Sequence, residues 1–116
     1  MNFSKLEKDI LSSIYQNEEN PVIKYQLATA KPIKRKFTGM GVWVHLYLPD
    51  NVEAVSDSDG DITPILGPFI KSPKLKYGAD SVIYITNGLL DTLEIFSSKD
   101  NFPEDLEHYE LFDPRK

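Results

Sequence analysis

The chain contains no cysteine, which excludes disulfide scaffolds, thiolate metal sites and cysteine nucleophiles at once. Histidine is nearly as scarce. A catalytic zinc ion wants three or four ligands, and His45 and His108 are the only two histidines, with no partner at ligand spacing. Long apolar runs are missing too. The longest, Val42 to Leu48, is interrupted by His45 and falls far short of the ~20 residues needed to cross a bilayer. Positive charge is in the minority: 13 Lys and Arg stand against 18 Asp and Glu, a formal net charge of −5. Nucleic-acid binding relies on cations displacing counterions from phosphates, so this balance argues against it. Met1 to Asp9 carries charges where a signal peptide needs an apolar stretch, and a cytoplasmic protein is expected.

What remains is a globular composition, 41% hydrophobic and 27% charged over 116 residues, enough for one domain spanning 1–116 that needs no covalent staple. Ser4-Lys5-Leu6-Glu7 has the form of a capping box, and Leu6, Ile10, Leu11 and Ile14 follow at helical spacing. An N-terminal amphipathic helix is predicted, ending between Asn17 and Pro21. From Val22 the period becomes two: Ile23, Tyr25 and Leu27 alternate with Lys24, Gln26 and Ala28, which predicts a strand. Pro32 confines Ile33–Phe37 to an edge strand, since proline cannot donate to a central ladder. Thr38-Gly39-Met40-Gly41 predicts a joint or bulge. Val42, Val44, Leu46 and Leu48 then share one face of a central strand, with Trp43, His45 and Tyr47 on the other, both faces covered.

Pro49–Asp61 is read as a long mobile loop in which Val52–Val55 could pair briefly, and Ile62–Lys76 as short strand pieces and turns. Asn87-Gly88 between two β-rich runs is the clearest hairpin signal, because both residues tolerate the positive φ of a type I′ turn. A two-residue loop sets Ile85 opposite Leu90 and Val82 opposite Leu93. Phe102–Leu106 predicts a short helical turn, and His108–Phe112 a last strand. The expected fold is therefore α+β: an antiparallel sheet of about five to seven strands with the helix packed on it.

Candidate chemistry is thin. Asp57, Asp59 and Asp61 flank Gly60, but the EF-hand pattern would put Val55 and Leu66 at positions that require oxygen ligands, so a solvated loop is expected and no metal or cofactor is assigned. Asp91 and Glu94, three apart on a strand, point to opposite faces and form no acid/base pair without a bulge. Glu94, between Leu93 and Ile95, is expected to pair with a cation or backbone amide. Lys31, Lys34, Arg35 and Lys36, together with Lys71, Lys74 and Lys76, could form a phosphate-attracting patch, though charges on an edge strand more simply discourage aggregation. Gly39-Met40-Gly41 lacks the third glycine of a phosphate loop and leads into a strand.

Three stretches bear a resemblance. Arg35-Lys36-Phe37-Thr38-Gly39-Met40-Gly41-Val42-Trp43, Leu75-Lys76-Tyr77-Gly78-Ala79-Asp80, and Leu93-Glu94-Ile95-Phe96 followed by Phe102-Pro103-Glu104 together resemble segments of a group of small bacterial proteins without established activity. The likeness spans Arg35 to Leu111; the acidic Asp57–Asp61 segment, Met40 and Ile95 depart from it. It implies a compact α+β fold and carries over no site residues. By type alone, the size and acidity are similar to small immunity proteins that neutralise bacterial toxins.

Three functions stay open. The first is a non-catalytic protein-binding domain, an immunity-like inhibitor whose Asp57, Asp59, Asp61, Glu104, Asp105 and Glu107 steer it to a basic partner. The second is a ligand-binding or enzymatic domain with a pocket near Trp43, His45, Tyr47 and Glu94. The third is a self-associating module, a homodimer through an edge strand or the Trp43 face.

Overall fold

The helix predicted from the capping box forms as α1 (Lys5–Asn17). Ser4 Oγ accepts the Glu7 N–H at 3.1 Å, and Glu7 Oε1 accepts the Ser4 N–H at 2.9 Å, so two otherwise orphaned amides are satisfied. The computed structural model describes residues 1–55, 64–99 and 101–113.

The segment after Asn20 corrects the sequence expectation. Residues predicted as a strand form a second helix, α2 (Pro21–Thr29). Asn20 is its N-cap, with Oδ1 accepting the Val22 N–H at 2.8 Å, and Pro21 occupies the first turn, where a missing N–H costs nothing. The alternation that suggested a strand placed Tyr25 inside. In the helix Tyr25 is exposed, and Ile23, Gln26 and Leu27 are buried at the i, i+3, i+4 spacing instead. The same few residues satisfy both periods, and the cap decides between them.

Among the described residues, seven strands follow: β1 (Lys31–Phe37), β2 (Gly41–Tyr47), β3 (Ile65–Leu66), β4 (Phe69–Ser72), β5 (Leu75–Thr86), β6 (Leu89–Phe96) and β7 (Glu110–Phe112). They form one antiparallel sheet in the order β1-β2-β6-β5-β4-β7, with β3 paired to β5. The fold is α+β. Pro32 lies on edge strand β1, where the register slips and leaves Ile33 59% exposed. Gly39, at φ 86°, turns the chain from β1 into β2, and a Cβ on Gly41 would collide with the Ile95 carbonyl oxygen of β6.

The β5–β6 hairpin turns on Asn87 (φ 54°) and Gly88 (φ 79°), as a type I′ turn requires. Ile85 faces Leu90 as expected, but Val82 faces Glu94, not Leu93. An extra residue, Asp91, is accommodated between Leu90 and Thr92 and shifts the register by one. That shift aligns Leu93 with Ile83 and keeps both in the core while Glu94 turns to the other face.

One apolar cluster joins α1 and α2 to the sheet face carrying Val42, Val44, Ile83, Leu93 and Ile95. Two polar side chains are embedded in it. Gln26, 0% exposed, donates from Nε2 to the carbonyls of Glu53 (2.9 Å) and Gly88 (3.0 Å), and its Oε1 accepts the Leu90 N–H at 2.9 Å. Glu7, 3% exposed, receives two bonds from the Arg35 guanidinium at 2.6 and 2.8 Å. Val55 donates to the Gly88 carbonyl at 2.8 Å and so joins Val52–Val55 to the hairpin.

The C-terminal stretch ties the ends together. Phe102 donates to the Gly39 carbonyl at 2.7 Å and Ser97 to that of Met40 at 2.8 Å. Glu104 and Asp105 form a turn and not the predicted helical turn, because Phe102 is held in the core and Pro103 follows it. β7 pairs with β4 and is clamped to α1: Asp113 Oδ2 accepts from Ser13 Oγ (3.1 Å) and Asn17 Nδ2 (2.8 Å), and Tyr109 OH donates to Asp9 at 2.6 Å.

Candidate functional site

Both helices pack on one sheet face. On the opposite face Trp43, His45, Tyr84 and Glu94 are half-buried, Val82 and Thr92 are buried, and Leu66 is exposed. The expectation that Trp43, His45 and Tyr47 would be covered holds in part: Trp43 and His45 are half-buried, whereas Tyr47 is 51% exposed. The registers build that face. Lys36 of β1 stands opposite Trp43, Trp43 opposite Glu94, Glu94 opposite Val82, and Val82 opposite Leu66. Five strands thus contribute one cross-strand row, whose side chains alternate with those of the core. The neighbouring row is Lys34, His45, Thr92 and Tyr84.

Within these rows the geometry is specific. The Trp43 and Tyr84 rings lie nearly parallel, 12° apart in plane with centroids 6.1 Å apart, although their strands are separated by β6. Glu94 projects from that intervening strand. Its Oε1 accepts the Tyr84 hydroxyl at 2.8 Å. Donation to a carboxylate, then burial and the nearby negative charge, hold the Tyr84 hydroxyl's pKa above the ordinary phenol value. His45 Nδ1 lies 3.1 Å from Thr92 Oγ, a contact that occupies both groups.

The structure therefore brings Trp43, His45 and Glu94 onto one surface and adds Tyr84, Val82 and Leu66. Tyr47 follows His45 on β2 but is 51% exposed at the strand end and lines a separate groove of about 480 Å³ with Leu90 and Asp91. Trp43, His45 and Glu94 line none of five grooves on the described surface, one of which, about 840 Å³, lies between the β4–β5 turn and the approach to β7. Among the described residues no three His, Asp or Glu side chains are placed to hold a metal ion. The surface offers stacking, a carboxylate and apolar contact, the elements of recognition.

The other candidates are scattered. Asp57, Asp59 and Asp61 lie outside the described residues. Glu104, Asp105 and Glu107 are exposed and share a groove with Ser4, Glu7 and Arg35, on the helix side. Asp105 makes a 3.9 Å surface contact with Lys74, of a kind worth about 0–1 kcal/mol. The seven-residue basic patch does not assemble: Lys31, Lys34 and Lys36 sit on edge strand β1, Arg35 is consumed by Glu7, and Lys71, Lys74 and Lys76 lie around β4 at the far side of the sheet. His108 is exposed.

Sequence reasoning missed Tyr84 and the apolar end of the row because it ran the hairpin register without the Asp91 bulge. Glu94 finds a tyrosine hydroxyl in place of the expected cation or amide.

No helix among the described residues is long and apolar enough to cross a membrane. No family model matches the chain, and neither a curated protein nor a solved structure matches it.

Proposed function

We propose that this chain is a non-catalytic protein-binding domain, an immunity-like inhibitor that docks on a basic partner protein. The observation that carries the reading is the row from Trp43 to Leu66 on the sheet face away from the helices. An aromatic and apolar line, with Leu66 66% exposed, is the kind of surface that monomeric domains keep for a partner. A net charge of −5 favours basic partners and accelerates encounter, while the aromatics supply the anchors that slow dissociation. Glu104, Asp105 and Glu107 contribute to steering from the helix side.

The experiment is affinity capture from the native host with wild-type bait beside a Trp43→Ala/Leu66→Asp double variant. A basic protein retained by the wild type, lost by the variant and weakened by salt supports the reading. Its being the product of an adjacent toxin-like gene supports the inhibitor version. Identical capture by both baits rules out the row as the docking surface.

A further inference from the structure

Building on the protein-binding reading, we propose that Trp43, Tyr84 and Glu94 form a receptor for an arginine side chain of the partner. A carboxylate flanked by two nearly parallel aromatic rings joins the two features a guanidinium recognises together: a ring face to stack on and an acceptor for its planar fork of N–H donors. Glu94 is already oriented, because the Tyr84 hydroxyl holds Oε1 at 2.8 Å. An ionised carboxylate offers about four acceptor positions, so a single bond from tyrosine leaves room for a bidentate partner. No salt bridge within the described residues engages Glu94.

The surroundings set the direction of approach. Lys36 stands opposite Trp43 on the side away from Glu94, and Lys34 opposite His45, so positive charge closes the β1 side. On the other side Val82 and Leu66 continue the row toward an apolar groove of about 420 Å³, which also includes Asp80 and Phe96. The methylene stem of an arginine would run past the buried Val82 toward exposed Leu66, with its head against Glu94. Lysine fits less well, because an ammonium is a compact, strongly hydrated charge that neither stacks nor bonds through a fork.

The test is fluorescence anisotropy with labelled hexa-arginine and hexalysine peptides against the whole chain. Wild type should bind hexa-arginine about tenfold more tightly than hexalysine. Glu94→Gln should reduce that preference to near unity, whereas Glu104→Gln, which removes the same charge on the helix side, should weaken both peptides equally and preserve it. Tyr84→Phe keeps the ring and frees the carboxylate, and should lose less preference than Glu94→Gln; it serves as the second variant should the first fold poorly. Equal binding of the two peptides, or equal effects of Glu94→Gln and Glu104→Gln, overturns the arginine receptor. If that occurs while row-dependent partner capture persists, the protein-binding reading stands alone; if capture also fails, both fall.

Discussion

Replacing Gln26 with leucine changes side-chain volume little and removes three hydrogen bonds from the centre of the molecule. The Gly88 carbonyl keeps a donor in Val55, but the Leu90 N–H and the Glu53 carbonyl lose the partner that Gln26 provides. No strand can replace it at Leu90, since β2 pairs with β6 only as far as His45 opposite Thr92. The buried Leu90 N–H costs about 1–3 kcal/mol when orphaned, whereas the carbonyl of exposed Glu53 can turn to water. The apolar surface leucine buries offsets part of the loss, so a net cost of about 1–2 kcal/mol is expected. For a domain of this size that corresponds to a fall in Tm of roughly 4–8 °C. Urea denaturation followed by circular dichroism measures it. Gln26→Glu tests the same geometry through pH. A carboxylate there would face the carbonyl oxygens of Glu53 and Gly88, which disfavours ionisation and raises its folded pKa above the unfolded value of about 4.3. Its deficit relative to wild type should be smallest below that value and grow as pH rises through the folded pKa. A Gln26→Leu variant within ~0.5 kcal/mol of wild type would refute the reasoning, given the cost of an orphaned amide. So would a Gln26→Glu deficit that shrinks with rising pH.

Arg35→Met leaves the buried Glu7 carboxylate without its guanidinium and should cost about 3–5 kcal/mol, most of it recovered in the Glu7→Gln/Arg35→Met double variant, as a double-mutant cycle in urea would reveal. Gly41→Ala drives a methyl into the β6 backbone and should cost about 3 kcal/mol or more, whereas Gly39→Ala, open in space but at positive φ, should cost only about 1–2 kcal/mol. The Asp9 carboxyl is held below the ordinary range first by the Tyr109 hydroxyl and then by Lys5. A depressed folded pKa contributes stability that is present above the unfolded value and lost as pH falls through the folded one. The wild-type advantage over Tyr109→Phe should therefore be present near neutrality and diminish into acid, read from urea midpoints across pH; an advantage that grows in acid would contradict the Asp9–Tyr109 contact.

Much of this protein was legible locally. Ser4 and Glu7 announce α1 because a capping box completes itself within four residues. Asn87-Gly88 specifies its turn because φ preferences belong to single residues, and Pro32 marks an edge because its ring removes a donor wherever it stands. The alternation in β2 also assigned Trp43 and His45 to the face opposite Val44. What local rules left open needed partners distant in the chain. Residues 22–28 fit two periods until Asn20 and Pro21 cap a helix whose Gln26 must reach Leu90. The Asp91 bulge exists because Leu93 and Ile95 must meet the same core as Ile83, a condition no window around the turn contains. Glu7 finds Arg35 only when a helix crosses the edge strand. The candidate site is decided in the same way: Trp43, Tyr84 and Glu94 come from three strands, and they meet because register, not sequence spacing, places side chains across a sheet.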